Sequence, residues 1–149
     1  TVSDTRIPAT DAGGDYLAAT MTAAGHTLVA RELVKDEQAA LEAAYRRCDQ
    51  AATAVILVTG GTGIALRDVT IETLAPLLVK TIPGFGEYFR RQSLAAVGLK
   101  ALASRAEAGV SAANHLTYLL PGSLNALQTA MAIITPDLNH LLKELTKDV

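Results

Sequence analysis

The sequence predicts an α/β fold, a mostly parallel central sheet covered by helices on both faces. Three observations carry that expectation. Apolar residues recur at helical spacing in several segments, short aliphatic runs stand between those segments, and glycine or proline turns punctuate the joins. Continuous runs such as Ala54-Val55-Ile56-Leu57-Val58 suit strands buried on both faces, and strands that alternate with helices pair in parallel. Half of the 149 residues are hydrophobic, so one domain spanning 1–149 can build its own core.

Residues 13–25 read as a first helix, with Tyr16, Leu17, Thr20 and Met21 at helical spacing and Gly25 as its stop. Residues 26–34, carrying Leu28, Val29, Leu33 and Val34, read as a strand. Asp36 opens a second helix that runs to about Ala52, with Leu41, Ala44, Tyr45 and Cys48 on one face. The run 54–58 is a strand leading into Thr59-Gly60-Gly61-Thr62-Gly63. Thr70 is placed to cap a helix containing Leu74, Leu77 and Leu78, with Glu72 in its first turn, and Ile82-Pro83-Gly84 breaks it. A helix is expected over 85–99, then strands over 105–110 and 116–120, the latter ending at Pro121-Gly122. Ser123 caps a helix to about Ile134. Thr135 followed by Pro136 reads as the start of a separate last helix with Leu138, Leu141, Leu142 and Leu145 as its stripe. The chain opens at Thr1-Val2-Ser3-Asp4 without methionine, as if inside a strand, and a preceding segment is expected.

Composition narrows the function classes. There is no Trp and there are six other aromatic residues, the formal net charge is −2, and the basic residues are scattered, so no nucleic-acid partner is expected. No stretch approaches the about 20 apolar residues of a membrane span and no signal pattern opens the chain, so a cytoplasmic protein without a membrane partner is expected. Cys48, the single cysteine, reads as a small hydrophobe in a reducing compartment. The three histidines lack metal-motif spacing.

The loop Gly60-Gly61-Thr62-Gly63 carries the strongest chemical signal. Three glycines in four residues after a buried strand let backbone N–H groups converge on a phosphate, although a turn that needs positive φ would look the same. It lacks the Lys of the Walker pattern and the spacing of the dinucleotide fingerprint. Asp68, beside such a cradle, is a candidate magnesium ligand or a helix-terminus carboxylate. Asp36 is a second ligand or an ordinary N-cap, and position alone favours the cap. Ser3, Asp4, Asp11, Gly13 and Gly14 form a polar stretch that either closes over a ligand or is a solvated loop. Pro121-Gly122-Ser123 is another anion site or a plain cap. In parallel sheets ligands sit beyond strand carboxyl ends, so the Thr59 and Pro121 loops are expected to line one crevice.

The run Thr59-Gly60-Gly61-Thr62-Gly63-Ile64-Ala65-Leu66-Arg67-Asp68-Val69-Thr70 resembles the signature of the MogA and MoaB family of molybdenum-cofactor biosynthesis proteins, shared with the gephyrin G domain. Pro83-Gly84-Phe85-Gly86-Glu87-Tyr88-Phe89-Arg90, the stretch from Leu102 to Val110, and Leu120-Pro121-Gly122-Ser123-Leu124-Asn125-Ala126 agree, as do Thr1–Asp4 and Asp11–Asp15. The resemblance implies a three-layer αβα sandwich, a homotrimer or homohexamer, and a molybdopterin adenylyltransferase that turns ATP and molybdopterin into adenylyl-molybdopterin and pyrophosphate with Mg2+. It implies further that the glycine loop from Thr59 holds nucleotide phosphates, that Asp36 and Asp68 are the family's essential acidic pair, and that Ser3, Asp4 and Ser123 lie around the pterin phosphate. A non-catalytic, pterin-binding or scaffold member of the family is the alternative. Two positions depart from the pattern: Gly13, where the family often has Ser, and Ile71, where Pro is common.

Overall fold

In the computed structural model, which describes residues 1–147, four short strands form one sheet in the order β1-β4-β3-β2. These are β1 (Val55–Thr59), β2 (Leu78–Thr81), β3 (Glu107–Ser111) and β4 (Leu116–Leu120). The helices are α1 (Ala12–Ala23), α2 (Gln38–Gln50), α3 (Thr70–Leu74), α4 (Pro83–Val97) and α5 (Leu124–Leu145). β4 is buried along its whole length and sorts its side chains by the two-residue period of a strand. Leu116, Tyr118 and Leu120 face a core built with Leu17 of α1, Phe85 and Phe89 of α4, and Leu127 of α5. Leu119 faces a second core with Leu41 and Tyr45 of α2 and Leu74 of α3. Helices therefore cover both faces, as the three-layer expectation requires. Thr117, on the Leu119 side, is buried and meets its hydrogen-bonding need with the Tyr45 hydroxyl at 2.9 Å.

The sheet is more mixed than the alternation of elements implies. β1 and β4 are parallel, whereas β4 with β3 and β3 with β2 are antiparallel. The cause is local: β3 and β4 are joined by a tight turn with Asn114 at φ 65°, too short for the crossover a parallel pair needs. β2 is a strand where the sequence pattern implied helix. Pro76 offers no N–H and crowds the carbonyl four residues back, so α3 stops at Leu74 and Leu78–Thr81 adds to the sheet edge.

Residues 26–34 are not a strand. Leu28 and Val29 are more than half exposed, and ladder contacts reach the segment only at Val34, which bridges Val2 in parallel. An apolar run becomes a strand only beside a chain that answers its backbone groups, and here only Thr1–Ser3 does so. The expected break at Thr135-Pro136 is also absent, since α5 runs unbroken through Pro136. Leu127, Ala130, Met131, Ile134 and Leu138 form one buried stripe across the proline, and that continuous burial outweighs the lost backbone hydrogen bond. Among the described residues no helix is long and apolar enough to cross a membrane.

Candidate functional site

The parallel register pairs Thr59 with Leu120, so β1 and β4 end side by side and their loops leave from the same edge. Two hydrogen bonds lock the two loops together, and a third ties the segment at Arg6 to the second loop. The Gly60 amide donates to the Leu120 carbonyl at 3.0 Å, the Thr59 hydroxyl to the Pro121 carbonyl at 2.9 Å, and the Arg6 guanidinium to the Gly122 carbonyl at 2.8 Å. A Cβ on Gly122 would stand 3.3 Å from the Gly60 Cα, so the two turns pack backbone to backbone. The expected common crevice is present as a cleft of about 700 Å3, large enough for a small-molecule ligand. A separate concavity of about 180 Å3 runs along the outer edge of β1, is lined by apolar side chains such as Leu17, Met21 and Leu41, and holds no part of the glycine loop beyond Thr59.

The glycine loop has the conformation its sequence requires. Gly60 and Gly61 take φ values of 104° and 65°, the region that strains any residue with a Cβ. The amides of Gly61, Thr62 and Gly63 find no acceptor among the described residues, and all three residues line the cleft. Thr70 supports the loop from below, with its hydroxyl donating to the Gly60 carbonyl at 2.8 Å and its amide to the Gly61 carbonyl at 3.0 Å. That role corrects the expectation of Thr70 as the α3 cap. Val69 holds the cap position, and Thr70 is the first helical residue, fully buried.

Two carboxylates flank the loop. Asp36 Oδ1 would lie 2.8 Å from a Cβ on Gly61, and Asp68 Oδ2 would lie 2.6 Å from a Cβ on Gly63. Asp68 also accepts the Ala65 amide at 3.0 Å. Asp36 is not an N-cap: Glu37 occupies that position, and the Asp36 amide donates instead to the Asp4 carboxylate at 3.1 Å. Asp36 Oδ1 is buried with no hydrogen-bond partner among the described residues. Burial raises its pKa above the ordinary carboxylate range, and the charges of Asp4 and Asp68 push the same way. A bound divalent cation would relieve a buried, unpartnered acidic oxygen beside two other carboxylates. Among the described residues no three His, Cys, Asp or Glu side chains converge as a ready cage. An ion here would take one or two carboxylates and complete its shell from ligand oxygens and water, the habit of magnesium.

The remaining sequence candidates divide. Ser3, Asp4, Pro121, Gly122 and Ser123 line the cleft. Ser3 accepts the amides of Thr5 and Arg6, and Ser123 caps α5 by accepting the Ala126 amide at 3.3 Å. Asp11, Gly13, Gly14 and Thr59 stand behind the wall. Asp11 is 1% exposed and serves the fold: it caps α1 through the Gly14 amide and pairs with Arg31 at 2.9 Å. Burial raises the Asp11 carboxyl, but hydrogen bonds from Arg31, Thr1 and Gly14 outweigh it and hold the carboxyl below its usual range. A Cβ on Gly13 would meet Leu127 at 3.1 Å and Arg6 at 3.6 Å, so a side chain there would have little room. Arg6, Arg67, Lys100, Asn125 and Thr129 also line the cleft and escaped sequence reasoning. Arg67 sits inside the signature run and could have been found there, whereas Arg6, Lys100 and Thr129 lie on elements whose approach only the fold decides.

A parallel strand pair that delivers a glycine loop and a helix cap to one cleft marks an α/β protein with a single crevice at its strand ends, and comparison with known proteins fixes the family. The family profile described as a probable molybdopterin binding domain matches residues 1–140. The chain is 44% identical to molybdenum cofactor biosynthesis protein B of Bacillus subtilis over 99% of its own length and 88% of that protein's. A crystal structure of a molybdenum cofactor biosynthesis protein B superposes with a TM-score of 0.94 at 39% identity, covering 99% of this chain and 92% of that one. The tungsten cofactor synthesizing protein MoaB from Pyrococcus furiosus superposes with a TM-score of 0.87 at 32% identity over 97% of this chain and 92% of its own. The chain belongs to the MogA and MoaB family of molybdenum-cofactor biosynthesis proteins.

Proposed function

We propose that this protein acts in molybdenum-cofactor biosynthesis by adenylating molybdopterin, with ATP as donor and pyrophosphate as the second product. The observation that carries the reading is the juxtaposition at the end of β1: three amides without acceptors among the described residues, beside an Asp36 oxygen likewise unpartnered and the Asp68 carboxylate. Amides of Gly61, Thr62 and Gly63 supply hydrogen bonds to phosphate oxygens without side-chain obstruction. The Ser123 end of α5 adds a dipole favourable to a second anionic group across the same cleft. Asp36 and Asp68 are the residues that would hold Mg2+, which when bound offsets the charge of the leaving pyrophosphate.

In the reaction a terminal phosphate oxygen of the pterin attacks the α-phosphorus of ATP, and the bond to the β-phosphate oxygen breaks as pyrophosphate departs. The nucleophile belongs to the substrate, so the chain's task is to hold two anions in line and exclude alternatives. The trimer or hexamer expected from the family belongs to the same reading.

The test is Mg2+-dependent pyrophosphate release by the purified protein given ATP and molybdopterin, with Asp68→Asn alongside. We expect the variant to keep its melting temperature within about 3 °C, as surface changes of under about 1 kcal/mol allow, while losing at least about a hundredfold in rate. Unchanged turnover in Asp68→Asn would remove that carboxylate from the mechanism. Pterin binding with no transfer at any Mg2+ concentration would favour a non-catalytic family member.

A further inference from the structure

We propose that Arg105 is a positioning residue for the glycine loop, holding it from outside the cleft in the form that binds phosphate; the identity of that phosphate rests on the adenylation reading. Arg105 lies just before β3, and although its neighbour Ser104 lines the cleft, Arg105 does not. Its guanidinium Nε donates to the Gly63 carbonyl at 2.9 Å, and Nη2 donates to the same carbonyl at 2.5 Å and to the Asp68 carbonyl at 3.3 Å. The other side of the fork pairs with Glu72 of α3, Nη1 to Oε1 and Nη2 to Oε2. One planar group therefore ties together the last glycine of the cradle, the backbone of Asp68 and the helix that follows.

Such an anchor answers a need that the loop's composition creates. Gly60, Gly61 and Gly63 carry no side chains to pack, and glycine loses more backbone freedom on ordering than any other residue. Thr70 fixes the start of the loop through the Gly60 and Gly61 carbonyls, but it makes no bond to Gly63. The Gly63 end is held by Arg105 and by the Asp68 carboxylate folded back to Ala65. Because a peptide unit is planar, fixing the Gly63 carbonyl fixes the plane of the whole Gly63-Ile64 unit. Fixing the Asp68 carbonyl limits where that residue's carboxylate can swing. Arginine suits the position because its rigid fork serves two carbonyls and a carboxylate at once, which a lysine ammonium on a flexible stem cannot match.

The experiment uses the full chain with Arg105→Gln, Arg105→Lys and, as a control, Arg46→Gln, which removes only an exposed pair on α2. Amide hydrogen exchange is read in peptides covering 60–68 and in peptides covering β1 and β4. Arg105→Gln should speed exchange of the Ala65 and Asp68 amides, the hydrogen-bonded ones at that end of the loop, by about tenfold while the strands stay unchanged, since local opening is separable from global unfolding. The same variant should raise the KM for MgATP about tenfold with kcat within about twofold, because a site competent a tenth of the time loses apparent affinity by that fraction. Arg105→Lys should recover part of both effects, and Arg46→Gln should show neither. Unchanged exchange in 60–68, or exchange rising equally in β1 and β4, would overturn the proposal, as would a fall in kcat at constant KM. If the unsubstituted protein transfers no adenylate, the adenylation reading fails by itself, and the exchange result still decides whether Arg105 holds the loop.

Discussion

Replacing Gly61 with alanine probes the cradle at its most constrained point. Its φ of 65° places an alanine in the left-handed region, at a cost of about 1–2 kcal/mol. The new Cβ would collide with the Thr70 hydroxyl and stand 2.8 Å from Asp36 Oδ1. Moving Thr70 breaks its bond to the Gly60 carbonyl, worth about 0.5–1.5 kcal/mol. The stiffer unfolded chain returns about 0.4–1 kcal/mol, leaving a net loss of about 2 kcal/mol. For a chain of this size that lowers the melting temperature by about 4–8 °C. Gly63→Ala is the matched comparison. The structure gives Gly63 no positive φ, and the atom in the way is the end of the Asp68 side chain, which can turn aside at little cost to folding. Calorimetry should therefore find Gly61→Ala clearly destabilised and Gly63→Ala within about 1 kcal/mol of the parent, with pyrophosphate release lost in both. Equal stability of the two variants, or full activity in Gly63→Ala, would refute the account of the loop as a built cradle with a carboxylate against it.

Asp36→Asn should melt higher than the parent by about 2–4 °C at pH 7, a gain of about 1 kcal/mol, while losing Mg2+-dependent activity. The sign follows from the raised pKa: the protonated form is free of the penalty, so the parent's relative stability is full below the ordinary carboxylate pKa and declines as pH rises through the folded value. The stability gap between variant and parent should therefore close on acidification, and a constant gap in urea melts across that range would contradict the assignment. Asp11→Ala runs the other way. Its lowered pKa gives stability that is present above the unfolded value and lost as pH falls through the folded one, so the substitution should cost about 2–3 kcal/mol near neutrality and progressively less in acid. Because α5 is continuous, Pro136→Ala should raise stability by about 1–2 kcal/mol by restoring an interior backbone donor; a loss in denaturant melts would refute that reading of Pro136.

Where physics is local, the residues spoke for themselves. The runs 54–58 and 116–120 read as buried strands, Ser123 read as a helix start, and the glycines after Thr59 read as a phosphate cradle or a turn of positive φ, of which the structure shows the positive φ. Those features, with Asp68 five residues beyond Gly63, placed the glycine-loop and Ser123 edges of the cleft before any coordinates, but not its Arg6, Lys100 and Thr129 side. What a single segment cannot encode is its partner. Leu28 and Val29 have a strand's side chains and no neighbour to pair with, and Leu77-Leu78 fits a helical stripe until Pro76 and the edge of β3 take it into the sheet. Pro136 reads as a helix start until the stripe from Leu127 to Leu138 is seen buried on one core.

Chain order by itself therefore determined α1, α2, α4, the start of α5, the central strands β1 and β4 and the chemistry available at their ends, because propensity, periodicity and turn geometry act over a few residues. Only the tertiary structure decided that β3 and β2 run antiparallel to β4 and that Asp36 lies orphaned beside Gly61. It alone brought Arg105 from more than thirty residues beyond Glu72 to brace the loop. Each of these depends on groups distant in sequence meeting under the demand that apolar faces be buried and polar groups answered, a demand settled by the whole chain at once.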